Sequence, residues 1–420
     1  MKRTYLAVAG ASVAIIVGAC SGSSTPSPSG GGGGGGTAVK VGIELPMTGG
    51  EAPNGVPTAN GVALAIDQIQ VPGFTVTINQ QDDALNGKHD PNQGAKNLQT
   101  LANDSQVLFV VGPYNSNVAQ AEIPVSNAAG LMQCSPANTA VGLTKGDAAK
   151  ALRQTNPDKI AYVRVATTDD NQGAGTADIA YNVASAKKAY VLDDTQTYGK
   201  GLADGFTDAY TKFGGTILKR DGVPDSTTDF TSYVTTAKSL TPDVVMYGGV
   251  TTSGLGLFRK QMAQQQLATI PFVGGDGIVD GSAATASSFL NIAGDGDMNS
   301  YGTVAAIHDI PNPDKFASDY KAKFSSDPGS YSAPAYACTQ IFLQALQAVG
   351  SGVTDLAQLR EAVRAYVADT SHTYDTVLGK VGFDANGDTT QHTISYYQYD
   401  STSKDWKFLK QRDFTAEPVQ

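Results

Sequence analysis

The segment VLFVVGP (107–113) is an unbroken apolar run closed by Gly-Pro. A strand of that kind is buried on both faces, and such strands belong to parallel sheets covered by helices on each side. The neighbouring sequence supplies the rest of that architecture. VKVGIEL (39–45), FTVTINQQDD (74–83) and a short stretch at Gly130–Ser135 read as further strands, with helical patterns at 55–69, at Gln93–Asp104 and from Ser116. A second series opens at IAYVRVA (160–166) and continues through KAYVLDD (188–194), DVVMYGG (243–249), IPFVGG (270–275) and SYGTVAA (300–306). Leu202, Phe206, Ala209, Tyr210 and Phe213 form one helical stripe between two of those strands. Helices are also expected at Gly254–Gln266, at 314–325 and at about 333–349, the last with Cys338, Ile341, Phe342, Ala345 and Leu346 on one side. Strands alternating with helices give an α/β fold with parallel sheets, and 420 residues exceed what one core usually organises, so two lobes are expected. From Val377 the tail reads instead as antiparallel strands around turns. Its DANGD (384–388) lacks the bidentate acid of a calcium loop and reads as an Asn-Gly turn.

The N-terminus has a different character. Lys2 and Arg3 precede an apolar run, Leu6–Gly18, which is shorter than the roughly 20 residues a membrane span requires. It ends in Val17-Gly18-Ala19-Cys20, which resembles the lipobox of bacterial lipoproteins, with Val17 where leucine is usual. Residues 1–19 are therefore expected to be a signal peptide, Cys20 the lipidated residue, and 20–37 a Gly/Ser/Pro tether. A coil of that composition typically reaches on the order of 20–25 Å. The expected location is extracytoplasmic, lipid-anchored to the bacterial cell membrane.

The formal charge of −10, without a basic run, excludes the electrostatic footprint of a nucleic-acid binder. No phosphate-loop, nucleophile-elbow or zinc-helix motif occurs. The histidines His89, His308, His372 and His392 are scattered and read as surface residues. Asp82-Asp83, Asp169-Asp170 and Asp193-Asp194 read as loop and cap residues, because neighbouring strand residues face opposite ways. No enzyme, cofactor or metal is expected.

Several stretches, in order, carry a resemblance: VGPYNSNVAQAEIPVSNAAGLMQCSPANTAVGLT (111–144), YVRVATTDDNQG (162–173), DDTQTYGKGLADGF (193–206), DFTSYVTTAKSLTPDVVMYGG (229–249), PFVGGDG (271–277) and YSAPAYACTQIFLQAL (331–346). From about 39 to 400 the chain resembles type I periplasmic binding proteins, most closely the branched-chain amino-acid group. The resemblance implies two Rossmann-like lobes joined by a three-crossing hinge, with residues 38–163 and 303–374 in the first lobe and 164–302 and 375–420 in the second. It implies a monomer that closes on a small solute and delivers it to the permease of an ABC importer.

Carried onto this sequence, the family pattern places Ser116 and Thr139 at the ligand's carboxylate, Tyr198 over the ligand and Asp276, where glutamate is usual, at its ammonium. Asn138 stands at a position held by a small residue in the group, with turn chemistry as the alternative, and Ser116 has the alternative of capping its helix. Tyr114 replaces a frequent aliphatic residue. An aromatic common in the first loop is absent, leaving Pro53 or Asn54 in its neighbourhood. The family's first-lobe cysteine pair is missing, Asn115 standing at its second position. Cys134 and Cys338 are expected to bond in its place, two buried thiols being the alternative. An amide, a urea-like compound or an aromatic acid, and a sensory role, remain the rival readings.

Overall fold

A computed structural model describes residues 36–415. The signal segment 1–19, Cys20 and the tether up to residue 35 lie outside the described residues.

Two sheets organise the chain. The first runs in the order Phe74–Asp82, Thr37–Leu45, Val107–Val111, Met132–Ser135, Tyr162–Arg164, all parallel. Val107–Val111 occupies its centre with every residue buried, and the helices Pro91–Asn103, Ser332–Val349 and Leu356–Ala368 pack against it. The second sheet runs Asp405–Asp413, Thr393–Asp400, Ser300–Val304, Phe272–Gly274, Val244–Gly248, Lys188–Asp193, Thr216–Gly222. Its last five strands in that order are parallel, while the two from the end of the chain lie antiparallel on one edge. Within each parallel set the first strand in sequence lies between the second and the third. The direction in which strands are added reverses beside it, and the carboxyl ends at such a switch point form a crevice.

Three details depart from the sequence reading. Tyr162–Arg164 pairs with Met132–Ser135, so it closes the first sheet rather than opening the second. The expected boundary at 302/303 falls inside the strand Ser300–Val304, and the one at 374/375 falls inside a hairpin. That hairpin, Thr373–Thr376 with Gly379–Gly382, pairs only with itself and lies against the helix Ser332–Val349. The second sheet resumes at Thr393, after a turn in which the Asp384 carboxylate accepts from the Asn386 and Asp388 amides.

Cys134 and Cys338 are joined by a disulfide with their Cα atoms 5.7 Å apart, tying the strand Met132–Ser135 to the helix Ser332–Val349. Beneath the following loop, Arg164 is fully buried. It donates to Asp388 Oδ1 (2.7 Å), to the Ala140 carbonyl (2.8 Å) and to Thr144 Oγ1 (2.6 Å). This guanidinium fixes the path of residues 138–144.

Candidate functional site

The first wall of the site follows the central strand of the first sheet. Tyr114 and Asn115 lead into the helix Ser116–Ala129, whose first-turn amides form its positive end. Asn115 has the extended backbone of a cap residue, yet its side chain makes no capping bond. Its amide nitrogen donates instead to Glu51 Oε2 at 2.9 Å. Ser116 Oγ accepts from the Ala140 amide at 3.4 Å, which links the helix start to the next loop. That loop is folded by Ser135, whose hydroxyl donates to the Pro113 carbonyl and accepts from the Ala137 and Asn138 amides. It delivers Thr139 with its hydroxyl buried, beside Asp169.

The opposite wall comes from the second sheet. Tyr198 sits in the first turn of the helix Thr197–Lys212, just past the strand Lys188–Asp193. Asp276 follows the strand Phe272–Gly274. Its two carboxylate oxygens accept from the hydroxyls of Tyr198 and Tyr331. Burial drives the Asp276 carboxyl above its ordinary range, against the opposing effect of those hydroxyls. The glycines around Asp276 act through space rather than through a sharp turn. Gly275 has ordinary φ, but a Cβ there would lie 2.1 Å from the Tyr198 hydroxyl, and one on Gly277 would lie 2.2 Å from the Gly249 carbonyl.

Tyr114, Ser116, Thr139, Tyr198 and Asp276 meet around one cavity, completed by Asn115, Ala137, Val250 and Gly277. Among the described residues, no lysine, arginine or histidine lines it. Asn138 is the candidate that does not reach it. Its amide donates to the Tyr114 carbonyl (2.7 Å) and accepts from the Tyr162 hydroxyl (2.8 Å), which holds the loop together. Pro53 and Asn54 lie in the first turn of the helix Ala52–Gln68, away from the cavity lining; the residue of that segment in contact with the site is Glu51.

Several residues at or behind the site carried no clear sequence signal. Asp169 opens the helix Asp169–Asp178, is buried, and lies against the Thr139 loop, its amide donating to the Thr139 carbonyl at 2.8 Å. Burial, opposed by the Thr139 hydroxyl and reinforced by the charge of Asp276, pushes it up to about 8. The doublet Asp169-Asp170 did flag it, but the reading as a loop or cap residue did not reveal its burial. Tyr331 stands before the helix Ser332–Val349 and is brought to Asp276 only by the fold.

His89 is likewise not a surface residue. Its Nδ1 lies 2.6 Å from Glu51 Oε1, with both side chains nearly buried. Although burial alone would lower His89, the Glu51 charge raises it to about 9; burial would raise Glu51, but His89 holds it at about 2. Both are therefore charged at neutral pH. Around this pair the two walls touch: Thr252 Oγ1 donates to Glu51 (2.8 Å), Asn117 to Gln196 (3.0 Å) and Thr197 to Gln120 (2.8 Å).

Comparison with known proteins matches a family model described as periplasmic binding protein to residues 38–404. The chain is similar to a Leu/Ile/Val-binding protein of Rhizobium johnstonii, 28% identical over 86% of this chain and 92% of that one. Its fold is similar to the crystal structure of a leucine binding protein from Thermotoga maritima, with a TM-score of 0.73, 24% identity, and coverage of 89% of this chain and 98% of that chain. An R. palustris ABC transporter solute binding protein, solved in complex with 4-hydroxybenzoate, has the same TM-score of 0.73 at 18% identity, over 89% of this chain and 97% of that chain.

Proposed function

This chain belongs to the periplasmic binding protein family, and we propose that it holds an α-amino acid between its two lobes. The observation that carries this reading is the distribution of charge around the cavity. One side presents a helix N-terminus and the Ser116 and Thr139 hydroxyls, all suited to a carboxylate. The other side presents buried Asp276, and no basic side chain among the described residues lines the cavity. A buried carboxylate is costly without a cation, and the ammonium of a zwitterion supplies one. A net anion such as a benzoate would meet the same carboxylates without that compensation, so the aromatic-acid reading fits this cavity less well. The Leu/Ile/Val-binding protein of R. johnstonii supports the amino-acid class.

In this mechanism the first lobe takes the ligand's carboxylate at Ser116 and Thr139. Tyr198 and Asp276 then close on it from the second lobe. Contacts made only in the closed form are what a ligand can use to shift the equilibrium toward closure. The same reading makes the protein a lipoprotein held by Cys20, which keeps it concentrated beside the permease of an importer. A thermal-shift screen of the twenty amino acids against amides, urea and benzoates tests the ligand class. Stabilisation by an amino acid is expected, and stabilisation by benzoates alone would refute it. For the anchor, Cys20→Ala is expected to bind ligand normally and to leave the membrane fraction.

A further inference from the structure

We propose that Asn115 selects among amino acids by accepting a hydrogen bond from the ligand's side chain, so that this protein prefers a polar amino acid bearing an N–H or O–H donor over leucine, isoleucine or valine. The inference rests on the amino-acid reading of the cavity and specifies it further.

Asn115 lines the cavity and is 7% exposed. Its orientation is not free. Glu51 receives the amide nitrogen at 2.9 Å, and an ionised carboxylate only accepts, so the N–H side of the amide must face Glu51. Glu51 is held in that ionised state by His89 at 2.6 Å, and it accepts further from Thr252 Oγ1 at 2.8 Å. With the nitrogen committed, Asn115 Oδ1 is left buried and without a partner among the described residues. It is an acceptor of fixed direction backed by a chain of polar contacts that reverses only if the charge on Glu51 is lost.

The chemistry follows from that geometry. An aliphatic side chain against Oδ1 leaves a buried carbonyl unsatisfied, whereas an amide, hydroxyl or amine satisfies it. Sites built to hydrogen-bond a polar group discriminate strongly against isosteres lacking it, because the site's own polar atom is then stranded. The remaining walls do not oppose this choice: Tyr114 is amphipathic, and Val250 is the main aliphatic surface.

Titration calorimetry with near-isosteric pairs tests the proposal: threonine against valine, and asparagine against leucine. The polar member of at least one pair is expected to bind roughly 5- to 150-fold more tightly, the range for satisfying one buried acceptor. In Asn115→Leu that ratio is expected to collapse toward one or invert. Valine and leucine binding at least as tightly as threonine and asparagine would overturn the proposal while leaving the amino-acid reading intact. A polar preference that survives unchanged in Asn115→Leu would overturn it too, by placing the acceptor elsewhere. If that variant fails to fold, the ranking by the unaltered protein decides. Failure of every amino acid to bind would overturn both this inference and the reading beneath it.

Discussion

Arg164 and Asp388 form a buried ion pair under the 138–144 loop, whereas Asp276 and Asp169 lie buried beside a cavity with no basic side chain in its lining. The two regions are built from neighbouring segments. In the first, every guanidinium nitrogen has an acceptor, and Lys145 adds a second cation 3.0 Å from Asp388. Burial would raise Asp388, but the Arg164 charge prevails and holds it below its ordinary value. In the second, neutral donors such as the Tyr198 and Tyr331 hydroxyls reach Asp276, and both acids are pushed upward. A charge cluster that is complete in the folded chain serves the fold; one lacking its counter-charge is completed by something the chain binds.

The comparison breaks first at Arg164. Arg164→Met leaves Asp388 without its main partner and should cost about 3–5 kcal/mol of unfolding free energy in a denaturant titration. Replacing Asp388 as well, with leucine, should recover much of that loss. If Arg164→Met unfolds like the parent, the pair does not hold the loop. Reduction of Cys134–Cys338, which are 204 residues apart, should lower stability by about 2–5 kcal/mol, and the oxidised chain should show no free thiol from either residue. Asp276→Asn should show the reverse profile. Amino-acid affinity should fall by about 2–5 kcal/mol while the unliganded stability moves by less than about 1 kcal/mol. A large stability loss with unchanged affinity would move Asp276 into the structural class.

A further effect is one of pH. A carboxyl raised to about 8 in the fold and near 4 when unfolded keeps its proton longer in the native state. Its stabilising effect is fully present below about pH 4 and is lost as pH rises toward 8, with a slope of at most about 1.4 kcal/mol per pH unit. Asp276 and Asp280 act in the same direction, so Asp169→Asn should flatten the slope of unliganded stability across that window without abolishing it. Unaltered slopes would mean that Asp169 is not buried as described.

Much of this contrast was legible in the chain itself, for a physical reason. Ser116, Thr139, Tyr198 and Asp276 each follow a strand that its apolar run exposes, and in parallel sheets the carboxyl ends of strands are where ligands sit. Partners that meet only through tertiary folding were harder to read. Tyr331 precedes a helix of the first lobe yet bonds to Asp276 in the second, a juxtaposition no local pattern encodes. His89, in the polar stretch Gly87–Asp90, resembled a surface residue because the buried carboxylate it needs, Glu51, is 38 positions away. Thr216–Gly222 escaped notice because an edge strand carries Lys219, Arg220 and Asp221 where a central strand would be apolar. Asn138 was misplaced for the opposite reason. It stands in the ligand loop by sequence, but Tyr114 and Tyr162 use its amide to hold that loop.

The central claim is that the cavity completes its acidic side with a ligand ammonium. Calorimetry comparing each amino acid that binds with the same molecule lacking only its α-amino group tests this most directly. The deaminated acid should bind at least about 30-fold more weakly to the unaltered protein, with that gap closing in Asp276→Asn. Equal or tighter binding of the deaminated acid would contradict the account.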